Sequence, residues 1–435
     1  MRDKAIRFGP IELVAGVRPS HVGAYLVATF LAVSLATFVS VIQPYVLTVN
    51  IGLAVDSQGQ VSGDLVLYGE IVMLLLSATV GAMSDRYGRR GVFAVGALII
   101  AIGYGLYSFV DSVATLTGAR IFIATGICII NVMVQAVQAD YPAEQSRGKL
   151  VGFSGVAIGI GAVLIGVVFS RLPYWYVGAG STELEGSQYT MFTMAGLALL
   201  LVFVIQLGLK GGKPQQSAQR VSIVGGLADG LKAGRQNVKI ALAYGCAFVA
   251  RADLVVVGTF FTLWLNQAGI AAGLSPEDAA GTAGQFFAIA MMGALIWAPI
   301  AGVLNDRLNR IHAVSLAMFL CAAGYSCMGL IEDPLGVWMY PAAILLGIGQ
   351  MSAVTASQTL IGQEAPAERR GSIIGTFSFF GTAGIMFVTS IGGRIFDTID
   401  PAAPFVLTGA INALLFFAAM FISFRAGKAV VETSA

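Results

Sequence analysis

Twelve apolar stretches, each of roughly 20 residues, follow one another along the chain, and a stretch of that length crosses a hydrocarbon core about 30 Å thick as a helix. They run over 21–45, 64–84, 92–111, 114–138, 150–170 and 190–209, then 238–265, 280–304, 312–331, 336–361, 373–393 and 403–424. Composition agrees: 57% of the 435 residues are hydrophobic and only 11% charged, where a soluble domain carries about a quarter charged residues. Lipid must be the solvent of such a chain. Backbone groups in lipid need internal partners, which leaves helices or a closed barrel. The short alternating segments of a barrel strand are not seen. The expected fold is an all-α integral membrane protein.

Charge sets the expected orientation. With the N-terminus in the cytoplasm, all but four of the 25 Lys and Arg residues fall on the cytoplasmic side; the exceptions are Arg171 and Arg394 in outer loops and Arg120 and Arg251 inside spans. Positive residues are retained on that side during insertion. Both termini are therefore expected to be cytoplasmic. Compact loops and short tails point to a bacterial inner membrane. Met1 to Ser20 lacks the basic region, apolar core and cleavage site of a signal peptide, so the first span serves as its own insertion signal. The four cysteines, Cys128, Cys246, Cys321 and Cys327, sit inside apolar stretches without metal-ligand spacing and read as buried free thiols.

The chain repeats itself. Gly81-Ala-Met-Ser-Asp85-Arg86-Tyr-Gly88-Arg89-Arg90 follows the second stretch, and Gly302-Val-Leu-Asn-Asp306-Arg307-Leu-Asn309-Arg310 follows the eighth, 221 residues later. A second pair, Asp140-Tyr-Pro142-Ala-Glu144-Gln-Ser-Arg147-Gly148 and Glu364-Ala-Pro366-Ala-Glu368-Arg-Arg370-Gly371, recurs at 223 to 224 residues. Two loop pairs at nearly one offset imply a duplicated six-helix unit. Both copies face one side, so the halves are parallel repeats. The expected organisation is a first half over 1–209, a cytoplasmic connector over 210–236 and a second half over 237–435. Ile223, Leu227 and Leu231 give that connector one apolar helical face.

These residues resemble the major facilitator superfamily of secondary transporters over essentially the whole chain. Gly81 to Arg90 is similar to its signature loop between helices two and three. The second copy departs from that pattern at Asn309 and Ile311. Arg120 is similar to the fourth-helix arginine associated with proton coupling in some members. The fifth stretch, Gly152-Phe-Ser-Gly155-Val-Ala-Ile-Gly159-Ile-Gly161, lacks the Gly-Pro pair of proton antiporters. The resemblance implies an alternating-access carrier whose helices one, four, seven and ten line a cavity. By that implication Gln43, Gln135, Arg251, Gln350 and Gln358 face substrate, and Asn131, on the polar face of the fourth stretch, is a further substrate-binding candidate.

The signature residues Gly81, Asp85, Arg86, Gly88, Arg89 and Arg90, with Asp306, Arg307 and Arg310, read as a gate. Asp85 can accept from a helix N-terminus, and the arginines can reach Asp140 or Glu144 in bidentate pairs. Gly81 and Gly88 would allow close helix approach and a tight turn. The plain alternative is that basic loops merely set topology. Charges inside the membrane cost about 2.5–3.5 kcal/mol each, which singles out Glu70, Arg120, Arg251 and Asp253. Arg120, Asn131, Gln135 and Gln138 form one polar stripe, facing a cavity or bonding between helices. Arg251 shares a face with Tyr244 and Thr262 and suits an anionic substrate group or a moving salt bridge. Asp253 points about 200° away from it, with Phe260 and Trp264 on its face, and is a protonatable site or a structural partner. Glu70 is a coupling carboxylate or a helix-interface one.

No nucleophile, metal-ligand or P-loop spacing is present, and the only two histidines, His21 and His312, lie near span ends. Enzyme, pump and nucleic-acid readings therefore have no residues to rest on. The expectation is a cofactor-free monomer in the bilayer that moves a small organic solute, exporting a metabolite or drug-like compound against protons. A facilitator or symporter for a small, anionic metabolite is one alternative. A non-transporting assembly or sensing protein is the other.

Overall fold

The structure, a computed structural model, describes residues 6–212, 223–366 and 369–433. Among them, twelve helical segments are long and apolar enough to span a membrane. Spans one to six are Pro19–Val41, Val55–Tyr87, Arg89–Tyr107, Val113–Asp140, Glu144–Gly178 and Glu183–Gly208. Spans seven to twelve are Val238–Ala271, Pro276–Arg307, Arg310–Leu330, Met339–Glu364, Arg370–Thr398 and Ala403–Phe424. Most outrun the apolar stretches expected from sequence. Hydropathy registers only the lipid-buried part of a helix, whereas backbone hydrogen bonding continues into the polar ends.

Spans one and three end four residues earlier than expected, span one at a break in the helix. Its helix stops at Val41, and a separate helix runs over Gln43–Val49. Pro44 explains the break, because it has no N–H to return to the preceding turn. Span seven is interrupted differently, by a π-helical turn at Val256–Phe261 between α-helices Val238–Val255 and Thr262–Ala271. A connector helix forms over Ile223–Gln236; residues 213–222 of the connector and Glu368 of the second loop motif lie outside the described residues.

The fold is all-α, as expected, with one small addition ahead of span one. Two short strands, Arg7–Phe8 and Ile11–Glu12, pair antiparallel before span one. Leu13 bridges to Pro142, Ala143 N–H donates to Glu12 O at 2.8 Å, and Lys149 Nζ donates to Pro10 O at 3.0 Å. Ile11 and Leu13 of this strap, and Val17 after it, are buried. It lies along the Asp140–Arg147 loop. Lys210 reaches the same place, its N–H donating to Tyr141 Oη at 2.9 Å. Burial pushes the Tyr141 phenol up to about 12, so it stays a neutral acceptor there.

Contacts divide the chain into two compact units. The first comprises Met1–Ala54, Tyr68–Ala218 and Gly269–Gly284, and the second Val55–Leu67, Gln219–Ala268 and Gln285–Ala435. Small residues bring helices together within the second. A Cβ added to Gly347 would lie 1.9 Å from Ala290 O, and one on Gly384 would lie 1.8 Å from Phe248 O. Spans nine and ten meet through Gly324 and Gly349, whose added Cβ atoms would lie 2.7 Å from Leu345 O and 2.8 Å from Cys321 Cα. With no hydrophobic drive between helices in lipid, such close packing supplies the contact energy. Hydroxyls fold back on their own helices, as Thr190 does on Gly186 O and Thr389 on Ile385 O.

Also in the second unit, the first turn of span two is capped by span eleven. Asp397 Oδ1 accepts from Gly59 N at 2.8 Å and Oδ2 from Gln60 N at 2.6 Å. Both oxygens thus meet backbone donors that a helix start leaves open. Gly63 and Gly393 allow this approach, since added Cβ atoms would lie 2.3 Å from Thr389 O and 2.4 Å from Gly59 O.

Candidate functional site

In the first unit, Arg89 is the centre of the signature loop. Its guanidinium lies 2.7 Å from Asp85 Oδ1 and 3.0 Å from Asp140 Oδ2, and it also donates to Ser84 Oγ. Gly88 makes the turn before it at φ 95°, a backbone conformation that favours glycine. Arg86 lies over the Tyr87 ring, and Arg90 packs beside Gly211. Glu144 is not drawn into the cluster. Two expectations need correction. Asp85 takes the Arg89 guanidinium rather than a neighbouring helix N-terminus, because the i,i+4 spacing puts both on one face. Gly81 admits no close helix, since an added Cβ would meet nothing within 4 Å.

The second copy keeps one of these links. Arg310 donates to Glu364 at 2.9 Å, and Glu364 also takes Lys239 at 3.5 Å and Asn237 Nδ2 at 3.3 Å. Asp306 and Arg307 form no ion pair among the described residues.

The candidate substrate and coupling residues separate by depth. Gln43, Glu70, Arg120, Asp253 and Gln350 are buried, Asn131 is half-buried, and Gln135, Arg251 and Gln358 are exposed. Arg120 donates through Nη2 to Ser40 Oγ at 2.8 Å, while its buried Nη1 has no hydrogen-bond partner. Neither amide atom of Gln43 has one. Asn131 Nδ2 faces Met73 Sδ at 3.9 Å, and Glu70 lies near the Cys128 thiol. The polar stripe of span four thus holds a buried Arg120, half-buried Asn131 and Gln138, and an exposed Gln135.

In the second unit, Arg251 lays its aliphatic stem against Gly381. Asp253 turns the opposite way, into the protein, and is fully buried. Cys321 Sγ on span nine lies 3.0 Å from Asp253 Oδ2, and Asn412 Nδ2 on span twelve lies 3.5 Å from Oδ1. The Asp253 backbone carbonyl is held as well, by Tyr325 Oη at 2.9 Å and Gln350 Nε2 at 3.5 Å. Gln350, expected to face substrate, is thus tied to the backbone of span seven. Among the described residues Asp253 forms no ion pair.

Sequence reasoning selected Asp253 by its charge but missed Cys321, Tyr325 and Asn412. A uniform 100° wheel also misplaces residues beyond Val256, because the π-turn adds a residue and rotates the remainder of the helix. The N-terminal strap was missed too; the period-two apolar order of Ile11 and Leu13 was its only signal.

The family profile described as Major Facilitator Superfamily matches residues 25–389. Magnetosome protein MamH of Paramagnetospirillum magneticum is 26% identical over 405 residues, covering 91% of this chain and 90% of that protein. Multidrug resistance protein 1 of Bacillus subtilis is 24% identical over 367 residues, covering 80% and 83%. Among solved structures, the nucleoside transporter NupG superposes with a TM-score of 0.70 at 14% identity, covering 92% of this chain and 98% of that one.

Proposed function

Since the chain belongs to the Major Facilitator Superfamily, we propose that it moves a small organic solute across a membrane by alternating access, with Asp253 carrying the coupling proton. The observation that supports this reading is Asp253 itself. It is a fully buried carboxylate within span seven, with a thiol and an amide beside it and no ion pair among the described residues. Ionising such a group without a partner is costly, whereas the neutral acid is tolerated. A residue that accepts a proton when buried and releases it when wetted is what ion coupling requires.

Export of a metabolite or drug-like compound in exchange for protons is the favoured direction, in keeping with the name of the Bacillus relative. Arg120, a buried cation beside Ser40 and Tyr107 with no ion pair among the described residues, supports an anionic group on the solute. The cluster around Arg89 would hold one gate, and both chain termini would be cytoplasmic.

The test is a liposome assay with a trapped pH-sensitive dye, in which candidate solutes are added and proton movement is followed. Solute-driven proton movement is expected in the wild type. It should vanish in Asp253→Asn, while exchange of labelled for unlabelled solute persists. Solute flux indifferent to the pH gradient would make the protein a facilitator. A second reading is favoured by the MamH relative, which is named for a magnetosome and not for a solute: a role in a membrane assembly. That role predicts no flux of any solute.

A further inference from the structure

Asp253 stands immediately before the place where span seven changes its winding. The α-helix ends at Val255 and the π-turn covers Val256–Phe261. The Val256 N–H is shared between the carbonyls of Ala252 and Asp253, a sign that the regular ladder is giving way. A π-turn loosens the carbonyls next to it, which then take outside donors. Here those donors are Tyr325 Oη and Gln350 Nε2, both on the carbonyl of Asp253. One residue is therefore gripped at its backbone and, through Cys321 and Asn412, at its side chain.

Every group that faces Asp253 comes from a helix packed around span seven. Span nine presents the Cys321 thiol and the Tyr325 phenol, span ten the Gln350 amide, and span twelve the Asn412 amide. Cys246 of span seven adds a buried thiol near Cys321. Span eleven packs glycines and aromatic rings on this helix, with Gly384 on Phe248, Phe380 on Tyr244 and Phe387 on Phe248. The Arg251 charge stays on the Gly381 side.

We propose that Cys321 and Tyr325 are positioning residues for Asp253 and that, together with the π-turn, they form a proton-operated hinge in span seven. This rests on the reading of Asp253 as the coupling acid. When water reaches Asp253 and it ionises, the Cys321 S–H and the Asn412 Nδ2–H are the donors at hand for its oxygens. When a proton arrives from water and forms the carboxyl O–H, that hydrogen needs an acceptor. Asn412 Oδ1 is buried and has no hydrogen-bond partner, so a turn of the Asn412 amide, which gives up the 3.0 Å bond from Nδ2 to Thr408 O, supplies that acceptor. Reassigning these bonds shifts the pull of spans nine and twelve on Asp253. Tyr325, one turn along span nine from Cys321, carries that shift to the backbone carbonyl at the winding change.

The test uses the full chain in liposomes with no solute and no gradient. Infrared difference spectra between pH values read the carboxyl C=O stretch, and the band missing from Asp253→Asn belongs to Asp253. Cys321→Ala is expected to move its midpoint by about tenfold in proton concentration, and Cys321→Ser to restore most of it. Spin labels at positions 268 and 330, both within the second unit, should change separation with pH at the same midpoint. That change should be lost in Asp253→Asn and in Tyr325→Phe. A midpoint unmoved by Cys321→Ala, or a separation that ignores pH while the band titrates, would overturn the hinge. Tyr325→Phe decides the matter if Cys321→Ala does not fold. Should the hinge respond but the dye assay show no solute-driven proton movement, the transport reading fails and the hinge stands.

Discussion

Arg310 donates to Glu364 at 2.9 Å, repeating in the second unit the 3.0 Å link from Arg89 to Asp140 in the first. The two acidic residues are not equally held. Glu364 has three partners and is 10% exposed, while Asp140 is 37% exposed. Glu364→Gln should therefore lower stability by about 1–3 kcal/mol and Asp140→Asn by less than about 1 kcal/mol. Thermal unfolding of both variants in one detergent checks the order. Equal losses would mean that burial does not set the strength of these pairs.

Glycines within the spans should fall into two groups. Gly347→Ala and Gly384→Ala force a methyl into a backbone carbonyl, which should cost about 1–3 kcal/mol and lower the yield of folded protein. Gly302→Ala and Gly81→Ala meet open space and should be neutral or stabilising by up to about 1 kcal/mol, through the better helix propensity of alanine. Melting temperatures of the four variants separate packing from propensity.

Asp397 spends both carboxylate oxygens on the first turn of span two. Asp397→Ala should expose those N–H groups and cost about 1–2 kcal/mol, and Asp397→Asn, with one acceptor left, should lie between. Hydrogen exchange at Gly59 and Gln60 measures it: protection unchanged in the alanine variant would show that the cap is not what orders this turn.

The N-terminal strap should protect the loop beneath it. Ile11→Asp puts a charge in a fully buried position, and protease cleavage near Tyr141–Ser146 should then speed up at least several-fold. A cleavage rate equal to wild type would mean that the loop is ordered without the strap.

Span count was legible in the chain because lipid imposes a length on every helix, and the motif pair Asp85-Arg86 and Asp306-Arg307 because it recurs at one offset. The Arg89–Asp140 and Arg310–Glu364 links were partly legible, since the motifs that hold them repeat. Cys321, Tyr325 and Asn412 were not, because they join Asp253 across 68, 72 and 159 positions and carry no pattern of their own. A local helical wheel finds neighbours on one helix and is blind to those on the next. It also assumes uniform winding, which the turn at Val256–Phe261 breaks.

Span one is broken by Pro44 after Ile42, and span seven by a π-turn ending at Phe261. Displaced by the repeat offset of 221, Ile42 falls on Leu263, two positions past that turn. The copies share no residue type at the break: one uses a missing donor, the other an extra residue in the coil. Two unlike devices thus interrupt the first and the seventh span near corresponding places, so each of these helices has a point where it can bend without disturbing the regular winding on either side.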